Sequence, residues 1–249
     1  MTPKVAAIVL AAGKGTRFAG GKPSRKHKVL YDVAGQPLIA HTLKILDKLA
    51  PAEIVLVVGH KAQDVIETVG KGYKFAFQRK RLGTGHAAKI GLTEISAHVS
   101  NIMILNGDDC AFYKSETLEK VLTKHLTEKN TITFITLEPK DPSGLGRVIR
   151  EKSEIVKIIE EKAATEAEKK IREINDGVYI FQRSWLEKNL PKIQKSKAGE
   201  YYLVDLIEMA VKSREKVKAF KLADPSEWYG VNTPEDLAKA DLLMKRRVK

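Results

Sequence analysis

The sequence predicts an α/β protein with a mixed, mostly parallel sheet flanked by helices. Three observations carry that expectation. Short apolar runs alternate with longer amphipathic stretches up to about residue 140, and such alternation joins parallel strands through right-handed crossovers. The first run ends in a basic, glycine-containing loop, Leu10-Ala11-Ala12-Gly13-Lys14-Gly15-Thr16-Arg17-Phe18. Beyond Asp141 the pattern shifts to closely spaced strands, which predicts a small β-rich lobe.

The elements follow in order. Residues 5–10 read as a buried strand, and 37–49 have the apolar period of a helix. Residues 54–58 form a second strand, 62–69 a short helix, 75–78 a strand and 85–95 a helix. A strand at 101–105 ends at Asn106-Gly107-Asp108, a helix covers 117–127, and β-branched residues mark a strand at 131–137. Strands are expected at 147–150, 155–160 and 177–181, with an exposed polar helix or loop at 161–172. A helix at 202–212, an edge strand at 217–220 and a closing helix at 234–245, entered through Pro234, complete the chain. No repeat or linker divides residues 1–249, so a single domain is expected.

Composition narrows the function classes. Hydrophobic residues make up 43% and charged residues 30% of the 249, which suits a globular protein. No apolar stretch approaches the roughly 18 residues that span a bilayer, and no leader is expected at the N-terminus. The lone cysteine, Cys110, allows no internal disulfide and reads as a small buried residue. A reducing, cytoplasmic compartment is expected. The net charge of +13 is spread along helical segments among Glu residues. No zinc-finger or RNA-binding motif accompanies it, which favours anionic small substrates over nucleic acid.

The loop at 10–18 supplies glycines for close backbone approach to a bulky anion, with Lys14 and Arg17 adding charge. It suits a nucleoside triphosphate. It is neither a Walker loop nor the Gly-x-Gly-x-x-Gly dinucleotide fingerprint. Gln78, ahead of Leu82-Gly83-Thr84-Gly85-His86-Ala87, has an amide that could pair with a base edge, although Thr84 could equally cap a helix. Asp108, at a strand end, could hold Mg²⁺, with Asp109 as its rival, or could cap the next helix. Asn232 could be a neutral second ligand or the cap of the helix at Pro234. Lys28 could balance phosphates or lie in a solvated charge run. His27, His41, His60 and His86 read as surface or packing residues.

Together these stretches resemble the sugar-1-phosphate nucleotidyltransferases, most closely their N-acetylglucosamine-1-phosphate uridylyltransferase domain. The matching segments, in order, are 10–18, Lys28-Val29-Leu30 with Ala34-Gly35, Gln78 with 82–87, 106–108, 141–147, 158–162, Glu173-Ile174-Asn175-x-Gly177, Gly199-Glu200-Tyr201-Tyr202-Leu203-x-Asp205 and 230–232. The resemblance implies a Rossmann-like, nucleotide-diphospho-sugar transferase fold. Its nucleotide part would cover about 1–140, its sugar part about 141–233 and its closing helix 234–249. It implies UTP and N-acetylglucosamine 1-phosphate as substrates and UDP-N-acetylglucosamine and pyrophosphate as products.

By the same resemblance, Leu10, Ala11, Ala12, Gly13, Gln78, Gly83, Thr84, Asn106 and Gly107 would hold the nucleotide. Arg17 and Lys28 would neutralise the triphosphate, and Asp108 and Asn232 would bind Mg²⁺. Gly146, Glu160, Asn175, Glu200 and Tyr202 would line the sugar site. The chain departs from the family pattern in four places. About four extra residues precede Lys28, which keeps Lys22 and Lys26 as alternatives to it. His27 stands where proline is usual, Val204 where threonine is usual and Ala163 where aspartate is frequent. No left-handed β-helix sequence follows, so acetyltransferase activity is not expected.

Overall fold

The computed structural model describes residues 4–15, 18, 26–108 and 110–248, with residue 248 as backbone only. Its strands are β1 (Val5–Ala11), β2 (Asp32–Val33), β3 (Gln36–Pro37), β4 (Glu53–Val58), β5 (Lys74–Phe77), β6 (Asn101–Asn106), β7 (Ile132–Leu137), β8 (Gly146–Glu151), β9 (Glu154–Ile159), β10 (Ile174–Gln182) and β11 (Val217–Lys221). Its helices are α1 (Leu38–Leu49), α2 (Ala62–Val69), α3 (Thr84–Thr93), α4 (Ser115–Thr127), α5 (Glu166–Lys169), α6 (Arg183–Asn189), α7 (Asp205–Lys212) and α8 (Pro234–Val248).

The main sheet runs β11-β7-β10-β6-β1-β4-β5. Within that path β10 alone is reversed, pairing antiparallel with β6 and β7. The pairs β1–β4, β1–β6, β4–β5 and β7–β11 are parallel. The antiparallel hairpin β8–β9 joins through β8 to the start of β10 and forms the β-rich lobe.

The long apolar runs reflect burial on both faces. In β1, Ala6 and Ile8 enter one core cluster while Val5, Ala7, Val9 and Ala11 enter the other. A strand covered on both sides reads as continuously apolar. A third cluster gathers Phe18, Val33, Leu38, Ala111, Phe112, Val231, Ala240 and Met244. It packs the hairpin β2–β3, the segment after Asp108 and the segment before Asn232 beneath α8. Two bonds clamp it: Ala34 N–H donates to Asp241 Oδ1 at 2.8 Å, and the Arg247 guanidinium donates to the Phe112 carbonyl.

One expectation is corrected, and the structure adds detail at two other places. Residues 202–204 are not α-helical: they form i→i+3 turns, with the Asp205 N–H donating to the Tyr202 carbonyl and the Leu206 N–H to the Leu203 carbonyl, each at 3.2 Å, that lead into α7 at Asp205, while the Leu203 N–H donates to Thr84 Oγ1 at 3.0 Å. The segment 161–172 splits into a 3-10 turn, Glu161–Ala163, and the single turn α5, closed by a reciprocal Thr165–Glu168 capping box. The helix α6 and the hairpin β2–β3 are additions to the predicted order.

Candidate active site

The parallel strands bring their carboxyl ends to one edge, and the candidate residues collect there. Leu10 lies in register with Asn106 of β6 and Val57 of β4. The Gly107 N–H donates to the Leu10 carbonyl at 3.0 Å, and Thr42 Oγ1 donates to the Gly107 carbonyl at 3.2 Å. Leu10, Ala11, Ala12 and Gly13 therefore run directly beside Asn106 and Gly107. Asp108 follows at the lip. Arg17 and Lys22, like Asp109, lie outside the described residues.

Lys28, Asp108 and Asn232 converge from three distant parts of the chain. The Lys28 ammonium forms an ion pair with Asp108 Oδ2 and donates to Asn232 Oδ1 at 3.3 Å. Local structure explains each arrival. Lys28 opens a 3-10 turn, Lys28–Leu30, capped by His27, whose Nδ1 accepts from the Val29 N–H at 3.3 Å. Burial pushes the His27 pKa down to about 4, so the ring is neutral and its lone pair is available for that cap. Asn232 is not the cap of α8. Thr233 Oγ1 accepts from the Asp236 N–H at 3.1 Å, and Asp236 Oδ2 accepts from the N–H groups of Asn232 and Thr233. That box leaves the Asn232 amide for Lys28. Lys26 is exposed and pairs with Asp32 at 3.3 Å, away from this point.

A second group surrounds Gln78, which directly follows β5 and donates its N–H to the Val58 carbonyl. Its side chain is buried, and its Nε2 donates to the Gly83 carbonyl at 3.1 Å and approaches His86 Nδ1 at 3.0 Å. His86 is thus part of the cluster rather than a surface or packing residue. Gly83 has φ +96°, and a Cβ there would lie 2.5 Å from the Tyr201 carbonyl. Only glycine allows this approach. The Tyr201 N–H donates to the Leu82 carbonyl at 2.7 Å, and the Gly85 N–H donates to the Tyr201 carbonyl at 2.9 Å. Thr84 is the first helical residue of α3, not its cap. These bonds stitch 82–85 to the segment carrying Glu200 and Tyr202. Glu200 is exposed and Tyr202 partly buried.

The third group sits at the mouth of the β-rich lobe. Gly146 is in register with Asn175, and Glu160 lies across the hairpin from Gly146. Asn175 Nδ2 donates to Tyr179 Oη. Burial pushes the Tyr179 phenol well up, and the nearby Glu160 adds to the shift. A bulge between Asn175 and Tyr179 places Gly177, φ +96°, against the Asn106 amide, where a Cβ would be 2.4 Å from Nδ2. This contact joins the lobe to the end of β6. Arg147, fully buried, ties the lobe together: its guanidinium pairs with Glu161 at 2.7 Å and donates to the carbonyls of Leu145 and Lys169.

A cavity of about 930 Å³ lies at the opposite, amino edge beside Leu49, Pro51, Met103 and Leu122. Its lining is mainly apolar and holds no carboxylate, so it is not the candidate site. No described helix is long and apolar enough to cross a membrane.

The chain is 40% identical over 244 residues to the bifunctional protein GlmU of Streptococcus mutans, and 41% identical to those of Streptococcus equi subsp. zooepidemicus and Lactococcus lactis subsp. cremoris. Each match covers 97% of this chain and 52% of the relative, so the chain spans about half the length of these curated relatives. A Bacillus anthracis protein named for glucose-1-phosphate thymidylyltransferase activity, crystallised with sucrose, superposes with a TM-score of 0.80 at 19% identity. That superposition covers 96% of this chain and 94% of the other, which establishes the shared fold. The nucleotidyl transferase family pattern matches residues 6–247, and the chain belongs to that family.

Proposed function

We propose that the protein is a uridylyltransferase that makes UDP-N-acetylglucosamine and pyrophosphate from UTP and N-acetylglucosamine 1-phosphate. The observation that carries this reading is the meeting of Lys28, Asp108 and Asn232 at the carboxyl edge of the sheet. The half-length match to bifunctional GlmU proteins supports the choice of reaction.

The residues fit a resident Mg²⁺. One carboxylate oxygen and one amide oxygen are hard donors, and both already face a single cation, the Lys28 ammonium. Mg²⁺ takes few protein ligands and leaves the rest to water and phosphate. Asp108 and Asn232 would hold it, and when bound it would disperse charge on the phosphates.

The remaining chemistry belongs to the chain. The sugar phosphate is largely dianionic at neutral pH, with a second pKa of about 6, so its oxygen needs no general base. That oxygen attacks the α-phosphorus in line, the bond to the bridging oxygen breaks, and pyrophosphate leaves. Lys28 and Arg17 neutralise the triphosphate. Leu10 to Gly13, Gln78, Gly83, Thr84, Asn106 and Gly107 hold the uridine, and Gly146, Glu160, Asn175, Glu200 and Tyr202 hold the sugar. In this division residues 1–140 serve the nucleotide, 141–233 the sugar, and 234–249 close the site. Catalysis is positioning and charge neutralisation. We place the protein in the cytoplasm, in keeping with its single cysteine.

The test is pyrophosphate release with UTP, Mg²⁺ and N-acetylglucosamine 1-phosphate, with glucose 1-phosphate in parallel. Release mainly with the amino sugar is expected. Release mainly with glucose 1-phosphate would move the substrate and keep the chemistry. Silence with every nucleoside triphosphate would refute the reading.

A further inference from the structure

We propose that His86 is a positioning residue: it holds the Gln78 amide so that only the amide oxygen faces the base, which selects a pyrimidine carrying a proton on N3. The inference rests on the uridylyl reading above and deepens it.

The Gln78 amide carries two hydrogens to donate. The Gly83 carbonyl can only accept, so the NH₂ group, not the oxygen, must face it at 3.1 Å. His86 Nδ1 lies 3.0 Å from the same nitrogen. It accepts the second hydrogen as long as the ring is neutral with its proton on Nε2. Three features keep it so. Burial lowers the His86 pKa, and Lys89 one turn on lowers it further. The ring also sits in the first turn of α3, where the helix dipole disfavours a cation. The backbone beneath it is fixed by the bonds from Gly85 to Tyr201 and from Leu203 to Thr84.

With both hydrogens engaged, Gln78 offers the cleft an acceptor and no donor. Uracil N3–H matches it. Cytosine presents a lone pair at N3, which leaves two acceptors opposed. Without His86 one amide hydrogen is released, and the group can serve either base. The Gly83 carbonyl alone cannot enforce the choice, because it engages one hydrogen only.

The test is initial-rate kinetics with UTP and with CTP at fixed sugar phosphate for wild type, H86L and H86N, together with thermal melts. H86L should reduce the UTP-over-CTP ratio of kcat/KM about tenfold. The loss should fall on nucleotide KM, with sugar-phosphate KM and Tm unmoved. H86N should restore most of the preference, since its Oδ1 can accept the same hydrogen, and a purely structural role would show no such rescue. If leucine weakens the fold, H86A supplies the comparison. An unchanged ratio in H86L, or no recovery in H86N, overturns the assignment alone. A wild type that prefers CTP or a purine overturns the uridylyl reading and this inference together.

Discussion

Replacing Asp108 by Ala separates a metal-holding role from a structural one. Asp108 supplies the carboxylate oxygen that pairs with the Lys28 ammonium, beside the Asn232 amide oxygen. Losing one preorganised electrostatic group of this kind costs about 2.7–4 kcal/mol in the transition state, or roughly 100- to 1000-fold in kcat. The fold should survive the change at a measurable cost. Lys28 and Asp108 side chains are only 14% and 15% exposed, so loss of the carboxylate leaves a mostly buried ammonium that keeps Asn232 and cleft solvent, and stability should fall by about 2–3 kcal/mol, less than for a fully sealed pair. The assay is pyrophosphate release with Mg²⁺ raised to saturation, beside a denaturant melt of the same sample. Asp108→Asn, which keeps the shape and drops the charge, should fall between wild type and Ala. A kcat within about threefold of wild type at saturating Mg²⁺, or a loss explained by a collapsed melt, would refute the reasoning.

Further outcomes follow from other parts of the site. Gly177→Ala should destabilise by about 2–3 kcal/mol in a denaturation curve, because a Cβ at φ +96° meets the Asn106 amide; an unchanged midpoint would contradict the contact. His27 and His125 are buried, and burial lowers each pKa from 6.5 to about 4. The unfolded chain binds protons at these rings before the folded one does. Stability should therefore hold above pH 6.5 and decline toward pH 4, by up to about 3 kcal/mol per ring. Melts between these pH values should show it, and His125→Leu should flatten the slope. Arg147→Leu should raise sugar-phosphate KM about tenfold and leave UTP KM in place, since Arg147 braces only the β-rich lobe; equal effects on both substrates would argue otherwise. Chelation of divalent metal should abolish turnover without changing the melt.

The sequence revealed most where burial is strongest. The strands β1, β4, β6 and β7 are apolar because helices cover both faces, and α1, α2 and α4 end within two residues of the expected positions. The helix α6 escaped because it has two turns, no side-chain cap and only Trp185 and Leu186 buried. Residues 202–204 read as helical, yet they form tight i→i+3 turns held against Thr84, 119 positions away from Leu203, and no local pattern carries that. The site divides in the same way. Residue type at strand ends marked Asp108 and Gln78. That Thr233 rather than Asn232 caps α8, that Lys28 reaches both metal candidates, and that His86 grips Gln78 are all tertiary facts. Arg17 lies outside the described residues and stands on its place in the basic loop and on the resemblance.

The Lys28 ammonium between Asp108 and Asn232 makes this centre one of cation exchange rather than simple capture. In the substrate-free protein the two oxygens already have a counterion, fastened to the chain at fixed local concentration. A divalent ion arriving alone competes with that tethered rival and gains little. A triphosphate changes the balance by offering Lys28 new oxygens to follow, so vacating the pair becomes cheap only when nucleotide is present. Metal uptake should therefore be tied to nucleotide arrival, with weak metal affinity in its absence.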